Sequence, residues 1–312
     1  MKRFAFRKLV QAVFLLLTVS VITFGMLSTA GGDALSALRE NPQVSQETID
    51  RLAAVYSFDK PATTRYFTWL GGLLRGDLGE SFLYKTPVLG LLLWRFGNTA
   101  ILAIAGLLIA LVIAMPSAYL IVRTRSRWLD GLVDVVVSLT ASVPRMVASL
   151  LALLILISIS GNSFAGTESF AALFLGALVI ALPVIAVLLA QAKGELARSV
   201  DLAFVQYARS KGLSERAVIL RHAFREALNP LLTLGGLSIG TMVSGSVVVE
   251  TILGWPGIGS LLVAAVKGRD VSLVMGIVVV TSVIVWLANT VAEILQMFND
   301  PRLRSAEAST GV

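Results

Sequence analysis

The sequence predicts an all-α membrane protein with six transmembrane helices, and composition and segment length lead to this prediction. Of the 312 residues, 56% are hydrophobic and 14% are charged, whereas a soluble domain carries about 25% charged residues. The mean hydropathy is +0.83, so the chain has too little polar surface to cover itself in water. Several apolar runs also reach the roughly 20 residues that a bilayer core requires.

Six apolar runs are predicted to cross the membrane. The second and the fourth run have a proline in their interior, Pro116 and Pro183, which membrane helices tolerate where neighbouring groups satisfy the freed carbonyl. The six runs are residues 9–27, 99–122, a stretch within 132–160, 170–192, 230–249 and 272–298.

The first run has a second interpretation. The stretch "MKRFAFRK" resembles the basic region of a signal peptide, and Ser28 and Ala30 are small enough for a cleavage site. The apolar core of a cleaved signal is usually about 7–15 residues long, which is shorter than residues 9–27. The length therefore favours a helix that is retained.

The distribution of Lys and Arg predicts the orientation, because basic residues concentrate in cytoplasmic connections. Sixteen of them lie at the two termini and in the connections after the second and fourth runs, and nine lie in the other connections. Both termini are therefore predicted to be cytoplasmic. The predicted organisation is residues 1–30 for the N-terminal segment and first helix, 31–97 for an extracytoplasmic loop, 98–298 for a helical core with a cytoplasmic loop at 194–229, and 299–312 for a cytoplasmic tail.

The extracytoplasmic loop is predicted to contain one amphipathic helix and one segment at the membrane interface. "NPQVSQETIDRLAAVY" indicates an amphipathic helix, and "YFTWLGGLLRGDLG" places Tyr66, Phe67 and Trp69 beside Leu and Gly. Such a mixture is typical of a segment at the membrane interface. A solvated loop with one aromatic anchor is the alternative.

The stretch "YARSKGLSERAVILRHAFREALNP" predicts a polar helical hairpin in the cytoplasmic loop. Gly212 suits the left-handed residue that ends a helix, and Ser214 can accept from the free amides of the next helix. This second helix is predicted to stop near Pro230. Its apolar stripe is Leu220, Phe224 and Leu228, beside a cationic face with Arg221 and Arg225.

Three interpretations of the hairpin stay open: a DNA-binding helix-turn-helix, a structural connection, and a docking element for a cytoplasmic protein. DNA recognition needs a free face, and both ends of this hairpin are tied to predicted spans, which disfavours that interpretation. No GxxxxGK[ST] phosphate-binding loop occurs in the chain. Work driven by ATP would therefore need hydrolysis on another chain.

The fifth run is the candidate lining of a translocation path or gate. It holds Gly236 and Gly240 in a GxxxG step, with Ser244 and Glu250 further along. Small residues permit close helix approach in lipid, and small hydroxyls can line a wet path. Packing alone and a path-lining helix hinged by the glycines both stay open, with the second slightly favoured.

The stretch "WPGIG" follows the fifth run. Pro256 and Gly257 fit the central positions of a type II turn, which would fold the chain back at the outer mouth. The residues assigned to this outer-mouth turn are Trp255, Pro256, Gly257 and Gly259.

Residues suited to catalysis or metal binding are sparse. The chain has one histidine, His222, and no cysteine, and no nucleophile–base pair or carboxylate dyad is apparent. The sequence therefore predicts neither an enzyme nor a metal site. Arg145 is either an intramembrane charge, a functional-site hypothesis by default, or, as favoured here, a residue that snorkels at a helix start after Pro144.

Several stretches resemble the permeases of binding-protein-dependent ABC importers, in the dipeptide, oligopeptide and nickel branch. "ARSKGLSERAVILRHAFREAL" is similar to the EAA-type loop of that branch, although Gln206, Tyr207 and Glu226 depart from its usual residues. Gly31, in "STAGGDA", stands where the family commonly has Pro. Further similar stretches are "VVVETILGWPGIGSLLVAAVKGRD", "WLGGLLRGDLGES", "FGNTAILA" and "NDPRLR".

The resemblance implies a type I ABC importer permease fold, with the permease core in residues 98–298. It implies that this chain binds no cofactor and no nucleic acid. The implied partners are a second, non-identical permease, two ATPase subunits that bind ATP and Mg, an extracytoplasmic solute-binding protein and membrane lipid. The hairpin, residues 204–228, would be the element that couples to the ATPases. The residues carried over as contacting them are Ala208, Arg209, Lys211, Gly212, Leu213, Ser214 and Glu215.

Di- or oligopeptides are the cargo that the resemblance favours. An oligosaccharide, an opine or a metal chelate stays open, because selection in such systems lies mostly in the soluble receptor. An export pump or passive channel is the alternative from another functional class, and a membrane anchor or scaffold is a third.

Overall fold

The computed structural model describes residues 2–29, 35–39, 43–56, 58–160 and 169–299. Regular structure in these ranges is helical, apart from an isolated antiparallel bridge between Glu80 and Pro87. Two residues near the end of the first run, Ala30 and Gly31, lie outside the described residues. So does the predicted tail with its "NDPRLR" stretch, apart from Asn299. The helices are α1 (Lys2–Thr29), α2 (Ser36–Arg39), α3 (Gln46–Val55), α4 (Ala62–Leu73), α5 (Val88–Thr124), α6 (Arg127–Ser142), α7 (Arg145–Ser160), α8 (Phe170–Val200), α9 (Ala203–Ser210), α10 (Glu215–Ala217), a π segment (Val218–Ala223), α11 (Phe224–Leu253), α12 (Ile258–Lys267) and α13 (Val271–Asn299).

The predicted spans correspond to five long apolar helices and one bent pair. By length and composition, the five that could cross a membrane are Phe4–Thr29, Val88–Thr124, Phe170–Val200, Glu215–Leu253 and Val271–Asn299. The bent pair, α6 with α7, supplies a sixth span if it is counted as one. The all-α membrane class is therefore confirmed, with five candidate spans, or six when the bent pair is counted as a broken third span. Helix α5 begins well inside the stretch predicted as loop.

The third span breaks at Pro144. Its two helices meet at an angle of 92°, and Val143 between them is extended, with φ −78° and ψ 118°. A proline disfavours helical geometry in the residue before it, which explains the position of the break. Ser126 begins α6 by accepting a hydrogen bond from Leu129 N at 3.4 Å.

The predicted helix stop at Pro230 is wrong. The helix from Glu215 runs through Pro230 to Leu253 as one candidate span. Proline removes a backbone donor and crowds the preceding turn, but a membrane helix keeps its course where other groups satisfy the freed carbonyls. Pro230 frees the carbonyl four residues earlier, that of Glu226, and the neighbouring Arg225 carbonyl accepts from Asn299 Nδ2 at 3.2 Å.

One compact unit comprises Ala100–Trp255 and the described residues from Val285 onward. Helix α8 lies at its centre and contacts α6, α7 and α11. Buried runs such as residues 179–181 and 184–186 show that α8 is covered on most sides, as expected of a helix that is apolar all round. Lys193 ties α8 to α6, since its Nζ donates to Asp130 Oδ1 at 2.7 Å and to Asp134 Oδ1 at 2.8 Å.

The other unit comprises the described residues up to Thr99 together with Pro256–Ile284. Its buried apolar cluster draws on the loop before α5, on the first turns of α5, on α12 and on the start of α13, through Leu78, Val88, Leu92, Leu261 and Leu273. The predicted helix in "NPQVSQETIDRLAAVY" is present as α3, and the stretch assigned to the membrane interface begins within a second helix, α4, which was not predicted.

A buried carboxylate organises this unit. Asp270 Oδ2 accepts from Ser81 Oγ at 2.6 Å and from Leu83 N at 3.0 Å, and its Oδ1 accepts from Leu273 N at 3.1 Å. Asp270 is 1% exposed, and a buried charge is tolerated when hydrogen bonds compensate it. Asp270 therefore joins the stretches "GES" and "GRD", which the sequence analysis singled out without predicting their contact.

Candidate coupling elbow and translocation helix

The predicted hairpin forms a sharp elbow, defined here as residues 203–217. Helix α9 ends at Ser210, and Gly212 follows with φ +81°. An added Cβ at Gly212 would meet nothing within 4 Å, so the requirement for glycine is purely conformational. Ser214 then begins α10 by accepting a hydrogen bond from Ala217 N at 3.4 Å. The predicted turn and cap are both present.

An ion pair fastens the two arms of the elbow. Arg209 Nε donates to Glu215 Oε2 at 3.0 Å, and a terminal nitrogen donates to Oε1 at 2.7 Å. A further nitrogen of Arg209 donates to Gln206 Oε1 at 3.0 Å. The hydrogen bonds to Glu215 raise the pKa of the Arg209 guanidinium above its ordinary value. The charge of Arg209, predicted to contact a partner, is therefore engaged within the elbow.

The outer face of the elbow is aromatic and apolar beside a single lysine. Tyr207 is 62% exposed, Phe204 is 50% exposed and Leu213 is 42% exposed. Lys211 Nζ lies 4.6 Å from the centroid of the Tyr207 ring, within cation–π range. Large exposed apolar groups clustered in this way are typical of an interaction surface.

The inner face of α9 anchors the elbow to its own chain. Val205 is fully buried and Ala208 is 6% exposed. The placement of Ala208 among partner-contacting residues is therefore corrected, because its side chain already packs inside this chain. Phe204 and Tyr207 take its place on the exposed face, and their large apolar rings in a polar loop were the available sequence signal.

A π segment, Val218–Ala223, lies between the elbow and α11. Such segments are rare and occur frequently at functional sites. The buried residues here are Val218, Ile219, Ala223, Ala227 and Leu231, and the predicted stripe residue Leu220 is 45% exposed. The predicted stripe is therefore wrong at Leu220, where the wider π turn places other residues on the inner face, whereas Phe224 is partly buried against the core and Leu228 is half-buried.

A polar cavity of about 610 Å³ lies beside the elbow and is lined by Arg221 of the π segment and Arg225 of α11. Its lining also includes His222 and Glu226. Asn299, at the end of α13, closes one side by donating to Asn229 Oδ1 at 2.8 Å. The cationic face predicted for the second helix is thus open to an anionic group.

The glycines of α11 lie in helix contacts. An added Cβ at Gly236 would meet Ala292 Cβ at 2.7 Å, and one at Gly240 would meet Val285 Cγ1 at 3.3 Å. Both contacts are with α13, and they form the seam, defined here as the contact of Gly236 and Gly240 with α13. The interpretation that these two glycines line an open path is therefore replaced by close helix packing.

Another face of α11 is exposed and carries hydroxyl groups. Thr241, Ser244 and Thr251 are exposed along it, at spacings that keep them on one side of a helix. Ser244 was predicted for the path and lies on this face, whereas Glu250 is fully buried. In this conformation the candidate path lining is the hydroxyl face, and Glu250 belongs to the interior.

The guanidinium of Arg145 lies against Gly245 of α11. The helix start at Arg145 matches the favoured interpretation, but the side chain packs on a helix of the apolar span and does not extend away from it. Arg145 makes no ion pair among the described residues. An ionisable group in such a position is a functional-site hypothesis by default.

The predicted type II turn in "WPGIG" is wrong. Gly254 is the left-handed residue, with φ +69°, and it ends α11. Gly257 has φ −102° and ψ −173°, whereas a type II turn needs positive φ at that position. Ile258 N donates to Thr99 Oγ1 at 2.8 Å, which fixes the start of α12. Trp255 and Gly259 are buried.

This geometry defines a class of protein: a helical membrane protein in which an elbow held by an ion pair connects two candidate spans. The chain belongs to the family of binding-protein-dependent transport system inner membrane components, whose model matches residues 106–305. A model for the N-terminal part of such membrane components matches residues 1–103. The family is a membrane component of transport systems, which implies that the chain is not itself a catalyst.

Relatives of known description match nearly the whole chain. A putative peptide permease protein of Brucella suis is 30% identical over 97% of this chain and 99% of its own length. An oligopeptide transport system permease protein of Bacillus subtilis is 28% identical, with coverage of 97% and 99%. A dipeptide transport system permease protein of Lactococcus lactis is 28% identical, with coverage of 97% and 100%.

Proposed function

We propose that this chain is a permease subunit of an ATP-driven importer of di- or oligopeptides. Its termini and the elbow face the cytoplasm, as the excess of Lys and Arg in those segments supports. Its partners are two ATPase subunits, which bind ATP and Mg, a second and non-identical permease, and an extracytoplasmic solute-binding protein. The family and the peptide permeases among the relatives support this assignment.

The observation that carries the proposal is the continuity between the elbow and a span. From Glu215 to Leu253 the chain is helical for 39 residues, a length of about 58 Å at 1.5 Å per residue. The Arg209–Glu215 pair fastens α9 to the first turn of this helix. A force applied to the exposed face of α9 is therefore delivered to α11.

The mechanism follows from this link. ATP binding draws the two ATPase subunits together, and the elbow, seated in a groove of one of them, moves with it. Helix α11 tilts in response, and the path between the two permeases changes the side from which it is accessible. Phe204, Tyr207, Lys211 and Leu213 supply the docking surface, with an acidic rim on the ATPase paired to Lys211.

Purification of the full chain from its native membrane in mild detergent tests the assignment. We expect a second permease and two ATPase subunits to copurify, and we expect ATP-dependent peptide uptake by the complete assembly in proteoliposomes only when the solute-binding protein is present. Peptide flux through the chain alone, without ATP, would establish a channel instead. Transport by the full assembly without a solute-binding protein would establish an export pump.

A further inference from the structure

A cavity of about 280 Å³ lies in the unit formed by the N-terminal part of the chain and the residues from Pro256 to Ile284. Three rings form one wall: Tyr56 and Phe82 lie 5.0 Å apart between centroids, and Phe58 lies 6.2 Å from Tyr56 and 6.3 Å from Phe82. Small-molecule sites usually occupy about 300–1,000 Å³ and combine apolar walls with a few polar groups. This cavity suits a ligand near the lower end of that range.

Two donors in the lining have no acceptor. Arg65 Nε and Trp69 Nε1 are buried and make no hydrogen bond to any residue that the structure describes. They lie four residues apart on α4, and side chains at that spacing share a helix face. A buried donor without an acceptor is costly, so this pair indicates an absent partner that carries acceptor oxygens.

The position of Arg65 is fixed by its surroundings. Its guanidinium carbon lies 5.9 Å from the Phe24 ring centroid and 5.8 Å from that of Phe58. The same helix is held to α1 by Tyr66, whose hydroxyl lies 3.0 Å from Ser20 Oγ. Because the cation is held between two rings, its remaining N–H groups are arranged before any ligand arrives.

Acidic groups also line the cavity. Asp270 accepts three hydrogen bonds from its own chain, and one oxygen of Asp77 accepts from Gly79 N at 2.8 Å. The carboxylate of Glu80 makes no ion pair or hydrogen bond among the described residues and is exposed. Burial first, and then Glu80 and Asp270, raise the pKa of the Tyr56 phenol.

We infer that this cavity binds a short peptide with free ends, about the size of a dipeptide. The peptide carboxylate accepts from Arg65 and Trp69, the ammonium group lies toward Glu80, and an apolar side chain packs on the rings of Tyr56, Phe58 and Phe82. The inference rests on the proposed function, since its ligand belongs to the transported class. It adds a peptide site on the permease itself, outside α11.

Binding of alanyl-phenylalanine to the full chain in phosphatidylglycerol nanodiscs tests this site, because that lipid has no amine to compete. Titration calorimetry or saturation-transfer NMR is expected to show saturable binding. Trp69→Phe keeps the ring and removes one donor, so affinity should fall about three- to tenfold. Arg65→Gln should weaken binding further, and Arg75→Gln, at an exposed arginine of the same loop outside the cavity, should not change it.

A second ligand separates ionic recognition from nonspecific apolar binding. The same dipeptide with an acetylated amine and an amidated carboxylate should bind at least about tenfold more weakly. Glu80→Gln should weaken binding of the free dipeptide but not of a version acetylated only at the amine.

Three results would overturn the inference: no saturable binding, equal affinity of the capped dipeptide, or wild-type affinity in both Arg65→Gln and Trp69→Phe. Peptide uptake by the complete transporter without binding to this chain overturns the cavity site alone, whereas absence of peptide uptake by the wild type overturns the proposed cargo.

Discussion

The elbow and the seam both depend on glycine, but for opposite reasons. Gly212 in the elbow has open space around it and a backbone with φ +81°. Gly236 in the seam has no positive φ and no room, because an added Cβ would lie 2.7 Å from Ala292 Cβ. The first glycine sets a direction of the chain, and the second sets a distance between helices. Substitutions at the two sites should therefore fail in different assays.

The largest effect is expected at the seam. Gly236→Val forces α11 away from α13, and overpacking of this kind costs about 1–3 kcal/mol. The apparent Tm of the full chain in detergent, followed by tryptophan fluorescence, should fall by several degrees, and Ala292→Gly should restore part of the loss. Gly235→Val is the matched control, since nothing lies within 4 Å of its added Cβ. Equal Tm values for the two variants would contradict the seam.

The next effect is expected at the elbow. A β-branched residue at the left-handed position of Gly212 costs about 1–2 kcal/mol locally, and the turn should open without loss of the spans. Gly212→Val should therefore lower peptide uptake per ATP hydrolysed while the chain still reaches the membrane. Gly194→Val, an exposed helical glycine with the same open space, should retain uptake. Normal stimulated ATPase activity and uptake in Gly212→Val would remove the elbow from the coupling mechanism.

A smaller effect is expected from the ion pair of the elbow. The side chains of Arg209 and Glu215 are 29% and 40% exposed, and a partly exposed pair contributes about 0.5 kcal/mol. A double-mutant cycle with Arg209→Gln and Glu215→Gln, measured by denaturant unfolding in detergent, should give a coupling of this size. The coupling should shrink in high salt because solvent ions screen it. A coupling of zero at low salt would show that the pair does not fasten the arms.

The smallest effect on stability is expected for Tyr207→Ala. The ring is exposed, and surface substitutions usually change stability by less than about 0.5 kcal/mol. Copurification of the ATPase subunits should nevertheless fall, because a large part of the docking surface is removed. Tyr84→Ala provides the control, since Tyr84 is exposed elsewhere in the chain. A full yield of ATPase with Tyr207→Ala would place the docking surface on another part of the protein.

Hydropathy and local turn chemistry predicted much of the fold. The apolar runs are long enough to cross a membrane as helices. Gly212 can adopt the left-handed backbone that ends a helix, and the hydroxyl of Ser214 can cap the next one. Pro230 was misjudged because the rule that a proline stops a helix was applied to a residue at the start of an apolar span, where proline is tolerated, and the helix continues to Leu253. The contact of Asp270 with Ser81 spans 189 residues, and no local pattern encodes such a pairing.

The candidate site was predicted less completely than the fold. The GxxxG step identified Gly236 and Gly240 as special, but a spacing does not reveal which neighbour fills the groove. The π segment added one residue to a turn and changed the buried face from that of Leu220 to that of Ile219. The orphan donors of Arg65 and Trp69 depend on how α4 packs, so composition alone could not find them.

The seat of Arg145 on Gly245 limits how α7 and α11 can travel during a transport cycle. A guanidinium exposed to hydrocarbon costs several kcal/mol (about 2.5–3.5 on insertion scales). If one helix slid away from the other, the Arg145 guanidinium would lose its contact with Gly245 and would gain no anionic partner in exchange. In the proposed mechanism, the motion that costs least carries both helices as one block, so the broken third span would move together with α11.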